Sequence, residues 1–214
     1  MSTRVLLADD HPVLRQGLRK LLEQEDWLEV VGEAGDGPEA VEQASALEPD
    51  VIVMDIGLPS LNGIDAARRI RARHPKIRIV ALSIHTSRRM VAEMLAAGAD
   101  GYVFKMSAFE EVVRAIRAVL RGQRYLSPGA AEAMEAAHNG DQDASAFARL
   151  TPRERQVLQL LAEGSSSKQI AFDLGISPKT VDVHRKNVMD KLGLDSLADL
   201  TRYAMREGLI THER

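Results

Sequence analysis

Two patterns of apolar positions alternate along the first 121 residues. Short, mostly apolar runs are typical of strands that are buried on both faces of a sheet. The predicted strands are Val5–Ala8, Leu28–Val31, Val51–Met54, Ile77–Leu82 and Tyr102–Phe104. The segments between and after them carry apolar residues at helical spacing, as in residues 63–73 and 107–121. Five strands alternating with five helices predict an α/β fold with a five-stranded, doubly wound parallel sheet and right-handed crossovers.

From residue 150 onward the apolar spacing is helical throughout. Thr151-Pro152-Arg153-Glu154 is a helix start signal, with a capping threonine, proline at the first helical position and a glutamate three residues after the cap. Gly175-Ile176-Ser177-Pro178 predicts a tight turn between a short helix and a longer one over 178–192. With a last helix over 196–206, the segment is predicted to be an all-α, four-helix unit that contains a helix-turn-helix.

The segment between these two patterns is rich in breakers and acidic residues. Gly122, Pro128, Gly129 and Gly140 interrupt it, and residues 138–145 read HNGDQDAS. Such a composition predicts a linker, here with one helix near residues 130–137. The predicted organisation is therefore a first domain over 1–122, a linker over 123–149 and a second domain over 150–214.

Charge and composition narrow the classes of function. The absence of cysteine from the 214 residues excludes disulfides, thiolate metal sites and cysteine nucleophiles. No apolar run approaches the length of a membrane span, and no secretory signal is visible, so a cytoplasmic protein without a membrane partner is expected. The net charge of −3 argues against a nucleic-acid partner. The net charge differs between segments, however: it is −1 over residues 1–130, −3 over 131–150 and +1 over 151–214.

Polar side chains follow four of the predicted strands directly. They are Asp9 and Asp10 after the first strand, Asp55 after the third, Ser83 after the fourth and Lys105 after the fifth. A single polar residue there commonly only begins a loop. Five of them at the edge where doubly wound sheets bind ligands favour a functional site. Three carboxylates in one crevice call for a hard cation such as Mg²⁺, and a lysine beside them suits a phosphoryl oxygen.

These residues carry a resemblance to a known family. Residues 1–121 resemble the receiver domain of two-component response regulators in Asp9-Asp10, in DIGLPSLNG from Asp55, in Ser83 and in Tyr102-Val103-Phe104-Lys105. Residues 150–210 resemble the LuxR-type helix-turn-helix in LTPRERQVLQLLAEG and KQIAFDLGISPKTVDVHRKNVMDKLG. The order of the two is that of the NarL/FixJ subfamily. Ser165-Ser166-Ser167-Lys168 stands where Leu-Ser-Asn-Lys is more usual, and Ser166 is expected to keep the helix cap.

The resemblance implies a phosphorylation-controlled, DNA-binding transcriptional regulator. Asp55 would accept a phosphoryl group from a sensor histidine kinase, and Lys105 and Ser83 would contact that group. Asp9, Asp10, Asp55 and the Gly57 backbone carbonyl would hold Mg²⁺, while Tyr102 would act as the switch residue. No independent turnover of a substrate is expected. Phosphorylation would favour a homodimer on double-stranded promoter DNA.

The resemblance also implies which face of residues 178–192 meets DNA. On a helical period Val181, Val188 and Leu192 point inward. The expected DNA-binding residues are Ser177, Lys179, Thr180, Asp182, Val183, Arg185 and Lys186. For a lone lysine or arginine the alternative is a solvated surface charge.

Two other interpretations stay open at this point. Aspartates and a lysine at strand ends also serve metal-dependent phosphohydrolases, although the haloacid-dehalogenase type needs a second aspartate where this chain has Gly57. A receiver that is never phosphorylated and acts through protein contacts alone is the other alternative, and the complete acidic set argues against it.

Overall fold

A computed structural model describes residues 2–84, 88–106, 109–135, 147, 149–207 and 209–210. Contacts divide the chain into two compact units, Met1–Ala137 and His138–Arg214. Residues 136–146, which form the acidic part of the predicted linker, lie outside the described ranges, as does Ser107, where a helix was predicted to begin. Within the described part of the chain, no helix has both the length and the apolar character needed to cross a bilayer.

The first unit is built on one parallel sheet. Its strands are β1 (Thr3–Ala8), β2 (Leu28–Ala34), β3 (Val51–Asp55), β4 (Arg78–Ser83), β5 (Gly101–Phe104) and β6 (Tyr125–Leu126). They are ordered β2-β1-β3-β4-β5-β6. The chain therefore leaves β1 in one direction and returns to its other side at β3, so the carboxyl ends of these two neighbours form the switch point at which such sheets bind ligands.

Helices cover both faces of this sheet. They are α1 (Pro12–Leu22), α2 (Gly37–Leu47), α3 (Gly63–Arg73), α4 (Arg88–Ala96), α5 (Phe109–Leu120) and α6 (Pro128–Glu135). Side chains alternate along each strand, so Leu6 and Ile52 pack with α2, α3, α4 and α6, whereas Val5 and Val53 pack with α1 and α5. The doubly wound parallel sheet that the sequence predicts is thus confirmed.

The predicted number of strands is wrong, because the described residues contain a sixth. Tyr125 pairs with Gly101 and Leu126 with Tyr102, in parallel register. The backbone continues this pairing, since the N–H of Ser127 donates to the carbonyl oxygen of Tyr102 at 2.9 Å. A strand of two residues is too short to show alternation, so residues 125–126 were included in the predicted linker. In the structure this part of the segment, together with α6, packs on the sheet.

The second unit is helical throughout its described residues. Its helices are α7 (Pro152–Ala162), α8 (Ser167–Leu174), α9 (Pro178–Leu192) and α10 (Leu197–Arg206). Capping explains where they begin: Thr151 and Ser166 each form a capping box, and Ser177 and Ser196 accept from the backbone three residues on. Gly175 and Gly193 end two of them in the left-handed region, at φ 61° and 64°. Leu158, Ile170, Val181 and other apolar side chains from all four helices form the core.

Candidate functional site

The strand ends bring three charged side chains into contact. Asp9 follows β1, Asp55 is the last residue of β3, and Lys105 follows β5. Lys105 Nζ lies 2.7 Å from Asp55 Oδ2 and 2.8 Å from Asp9 Oδ2. The side chain of Lys105 is only 9% exposed, that of Asp55 5% and that of Asp9 2%. One buried ammonium group therefore bridges two buried carboxylates at the carboxyl edge of the sheet.

Asp10 and His11 extend this group toward solvent. Ligand atoms of Asp9, Asp10, His11 and Asp55 all lie within 4.8 Å of one another. The backbone N–H of His11 donates to Asp9 Oδ1 at 2.8 Å, and its Nδ1 lies 3.2 Å from the same oxygen. In the sequence His11 indicated only the start of a helix. Its position next to the acidic pair was the signal that it belongs to the site.

The carboxylates of this group fit a hard divalent cation. Asp10 Oδ1 is buried and accepts no hydrogen bond from the described residues, although His11 Nδ1 lies 2.7 Å from it. A buried acceptor without a donor is costly in a folded protein. Carboxylate oxygens from Asp9, Asp10 and Asp55 are the donors that such a cation prefers, and it would satisfy the orphaned oxygen.

Burial and charge act in opposite directions on the two central groups. Burial raises the pKa of Asp55, and the nearby Lys105 offsets this only in part. Burial by itself would lower the pKa of Lys105, but attraction to Asp55 and Asp9 outweighs it and the pKa is raised. Lys105 is therefore held in its charged form beside a carboxylate that is poorly solvated, which leaves that carboxylate in need of a further positive or electrophilic partner.

Ser83, the last residue of β4, and Tyr102 in β5 form a second polar contact. Both side chains are buried, and their hydroxyls share a hydrogen bond. Burial raises the pKa of Tyr102 to about 12, so its hydroxyl stays protonated. The Tyr102 ring meets Phe104 edge to face, with centroids 5.7 Å apart. The structure thus places the Tyr102 side chain inside, in the apolar core on the face of the sheet that α2, α3, α4 and α6 cover.

Two glycines that follow β3 contact Asp55. The Gly57 N–H donates to Asp55 Oδ1 at 3.1 Å, so the side chain is turned toward its own loop. Gly63 begins α3 against the same residue, where a Cβ would lie only 2.2 Å from the Asp55 carbonyl oxygen. A glycine is therefore required at 63 by close backbone approach.

Helix α9 presents the residues predicted to contact DNA. All seven are exposed: Ser177, Lys179, Thr180, Asp182, Val183, Arg185 and Lys186. Val181 and Val188 are buried on the opposite side. Two of the seven also build the helix start, since Ser177 Oγ accepts from the Thr180 N–H at 3.1 Å. The structure does not bring these residues into a pocket; they form one solvent-facing stripe.

An ion pair fixes this helix to the rest of its unit. Lys191 Nζ near the end of α9 lies 2.6 Å and 2.9 Å from the two carboxylate oxygens of Glu154 in α7. Glu154 also accepts from the Thr151 N–H at 2.8 Å. Burial alone would raise the pKa of Glu154, but the Lys191 and Thr151 bonds lower it overall. The ion pair therefore fixes the C-terminal end of α9 to α7, while the exposed residues lie nearer its N-terminal end.

Comparison with known proteins agrees with both halves of this description. Residues 5–117 match the response regulator receiver domain, and residues 148–204 match the bacterial regulatory proteins of the luxR family. The chain is a response regulator with a receiver domain and a LuxR-type DNA-binding domain.

Individual relatives resemble this regulator over nearly its whole length. The transcriptional regulatory protein MctR of Rhizobium johnstonii is 40% identical over 208 residues, which are 97% of this chain and 95% of MctR. The response regulator UvrY of Escherichia coli is 37% identical over 210 residues, 98% of this chain and 96% of UvrY. A structure of Salmonella RcsB bound to promoter rprA with phosphomimetic BeF3⁻ is 29% identical, with a TM-score of 0.66 and coverage of 95% and 98%.

Proposed function

We propose that this regulator accepts a phosphoryl group on Asp55 from a sensor histidine kinase and that phosphorylation controls promoter binding through α9. The observation that carries the proposal is the Lys105 ammonium group, which lies within 2.8 Å of both Asp55 and Asp9 in a buried pocket. An oxygen of Asp55 attacks phosphorus, the bond from phosphorus to the kinase histidine breaks, and the imidazole leaves. Lys105 then faces a phosphoryl oxygen in place of a carboxylate oxygen.

Asp9, Asp10, Asp55 and the backbone carbonyl of Gly57 are the groups proposed to hold Mg²⁺. The orphaned Asp10 Oδ1 supports this assignment, because it is a buried acceptor that a cation would satisfy. When bound, Mg²⁺ supplies positive charge that offsets the charge of the phosphoryl oxygens. His11 holds Asp9 in place through its backbone N–H. We expect one phosphoryl group per chain and no independent turnover of a substrate.

Ser83 and Tyr102 are proposed to convert this event into a conformational change. The two hydroxyls are hydrogen-bonded to each other inside the protein. A phosphoryl group on Asp55 offers Ser83 a charged acceptor, which is a stronger partner than a tyrosine hydroxyl. Movement of Ser83 toward the phosphoryl group breaks its hydrogen bond to Tyr102, so the position of the Tyr102 side chain changes. Phosphorylation therefore shifts the equilibrium between the states with and without the Ser83–Tyr102 bond.

DNA is proposed to meet the exposed stripe of α9, with two copies of the chain on one promoter. Solved structures describe RcsB–DNA complexes and two RcsB dimers on two parallel DNAs. Within 178–187 this chain carries three cationic side chains and one acidic one. So few charges give a single domain weak affinity, and two half-sites multiply it.

Incubation with acetyl phosphate and Mg²⁺ tests the assignment. Intact-mass measurement should show one added phosphoryl group on the wild type and none on Asp55→Asn. Asp50→Asn is a matched control, because Asp50 is exposed at the opposite end of β3 and its variant should react as the wild type does. Equal uptake by Asp55→Asn would refute the assignment. Release of inorganic phosphate over many turnovers from a small phosphoester would favour a phosphohydrolase instead.

A further inference from the structure

An acidic side chain on the DNA-facing stripe of α9 is held in place by the preceding helix. Ser167, the first residue of α8, donates from Oγ to Asp182 Oδ1 at 3.1 Å. The cap of α8 is formed by Ser166 and Gln169, which leaves the Ser167 hydroxyl available for this longer-range bond. The contact joins the two helices of the helix-turn-helix across fifteen residues of chain.

The second oxygen of Asp182 remains available to an outside donor. Arg185 Nη2 lies 3.7 Å from Asp182, again from Oδ1, so both described contacts use the same oxygen. The side chain is 52% exposed. Asp182 therefore has one carboxylate oxygen that is positioned by α8, and its side chain as a whole is half exposed to solvent.

The carboxylate of Asp182 is unfavourable next to DNA unless a base edge donates a hydrogen bond to it. Phosphates repel it, and in the major groove guanine and thymine present acceptors. Adenine offers an amino group, but its N7 acceptor lies beside that group. Cytosine presents the N4 amino group and no acceptor, so it is the base whose edge suits a carboxylate.

We propose that Asp182 reads a cytosine in each half-site through the cytosine N4 amino group, and that Ser167 is the positioning residue that fixes the orientation of this carboxylate. The inference rests on the proposed function, since it needs α9 in the major groove. Arg185 keeps the local charge of the pair near neutral, which reduces the repulsion between Asp182 and the phosphates. The specificity arises from one accepted hydrogen bond and from rejection of bases that present acceptors.

Selection from a random duplex pool, with the full-length protein treated with acetyl phosphate and Mg²⁺, tests the inference. The wild type should enrich a motif with one cytosine per half-site that depends on Asp182. Asp182→Asn should replace that cytosine by adenine, because an amide pairs with adenine N6 and N7. Asp182→Ala should lose the preference at that position alone. Lys179→Ala is the control and should weaken binding to all sequences without altering the motif.

Ser167 is tested by measuring how far the protein discriminates the selected duplex from one with that C·G pair reversed. The wild type should discriminate roughly tenfold. Ser167→Ala should lower the ratio several-fold, and Ser167→Thr, which retains the hydroxyl, should restore it. Identical motifs from the wild type, Asp182→Asn and Asp182→Ala would overturn the inference while leaving DNA reading by α9 intact. If the wild type enriches no motif at all, the proposed DNA-binding function fails, and the inference fails with it.

Discussion

Replacing Lys105 with methionine leaves two buried carboxylates facing each other without their shared ammonium group. Lys105 Nζ lies 2.7 Å from Asp55 Oδ2 and 2.8 Å from Asp9 Oδ2. At an effective dielectric constant of about 20, each contact contributes roughly 6 kcal/mol of Coulomb attraction. Desolvation offsets much of this, and removing one partner from a buried ion pair costs about 3–5 kcal/mol net. We expect the free energy of unfolding of the receiver domain to fall by that amount in Lys105→Met.

Urea unfolding in EDTA measures this loss, with Trp27 fluorescence as the signal. Trp27 is the only tryptophan of the chain and stacks against Arg117 in the receiver, so it reports on this domain. With a slope of about 2 kcal/mol per molar urea, the midpoint should drop by about 1.5–2.5 M. Lys20→Met is the control, because Lys20 is exposed on α1 and its variant should keep the wild-type midpoint. A Lys105→Met midpoint within about 0.3 M of wild type would refute the role given to Lys105.

Repeating the titration in Mg²⁺ separates loss of charge from loss of packing. A cation that binds Asp9, Asp10 and Asp55 stabilises the folded state in proportion to the logarithm of its concentration above its Kd. We expect Mg²⁺ to raise the Lys105→Met midpoint by more than it raises that of the wild type, because the variant has more uncompensated negative charge. Equal shifts would show that Lys105 and the cation do not share these carboxylates.

Three further outcomes follow from the geometry. Glu154→Gln should lose about 1–3 kcal/mol at neutral pH by weakening the Lys191 bond. The lowered pKa of Glu154 means that its contribution is present above 4.5 and is lost as pH falls further. The protection factors of the amides of 152–162 should therefore fall more steeply with falling pH in the wild type than in the variant. Gly63→Ala should cost about 1–3 kcal/mol by forcing the Asp55 backbone away, and an unchanged urea midpoint would contradict this. The three cations within 178–187 predict a slope of log K against log salt of about −3 per DNA-binding domain, and a much steeper slope would mean that other residues contact phosphate.

Much of the fold was predictable because burial on both faces leaves a strong pattern. The strand Val51–Met54 is apolar throughout, and Asp55 at its end marks the edge where ligands bind. The same reasoning predicted that Asp9 and Lys105 lie at that edge. The strands β1 and β3 are adjacent, so the proximity of Asp9 and Asp55 follows from topology. Lys105 follows β5, which β4 separates from β3, so its contact with both carboxylates depends on the reach of the long lysine side chain.

Other features depend on contacts that periodicity does not encode. The strand Tyr125–Leu126 is defined by its partner β5 rather than by its own pattern. The Ser167–Asp182 bond depends on how two helices cross, and the sequence showed only that Ser167 stands where asparagine is more usual. The participation of His11 depends on its rotamer next to the acidic pair. Side-chain direction across elements is a tertiary property and was therefore not accessible from spacing.

The formal charge of −3 does not oppose DNA binding, because charge acts on DNA over short distances. Beyond a Debye length of about 10 Å, exposed charges are largely screened, so the net charge of a whole chain is a poor guide to binding at one helix such as α9. What counts there is the local excess of two positive charges within 178–187. Because that excess is small, one domain holds DNA weakly, and joining two domains roughly doubles the binding free energy while phosphate contacts per domain stay the same. A receiver that changes the free energy of dimerisation by a few kcal/mol would therefore change promoter occupancy by orders of magnitude. A strongly basic domain would instead bind DNA whether or not the receiver is phosphorylated.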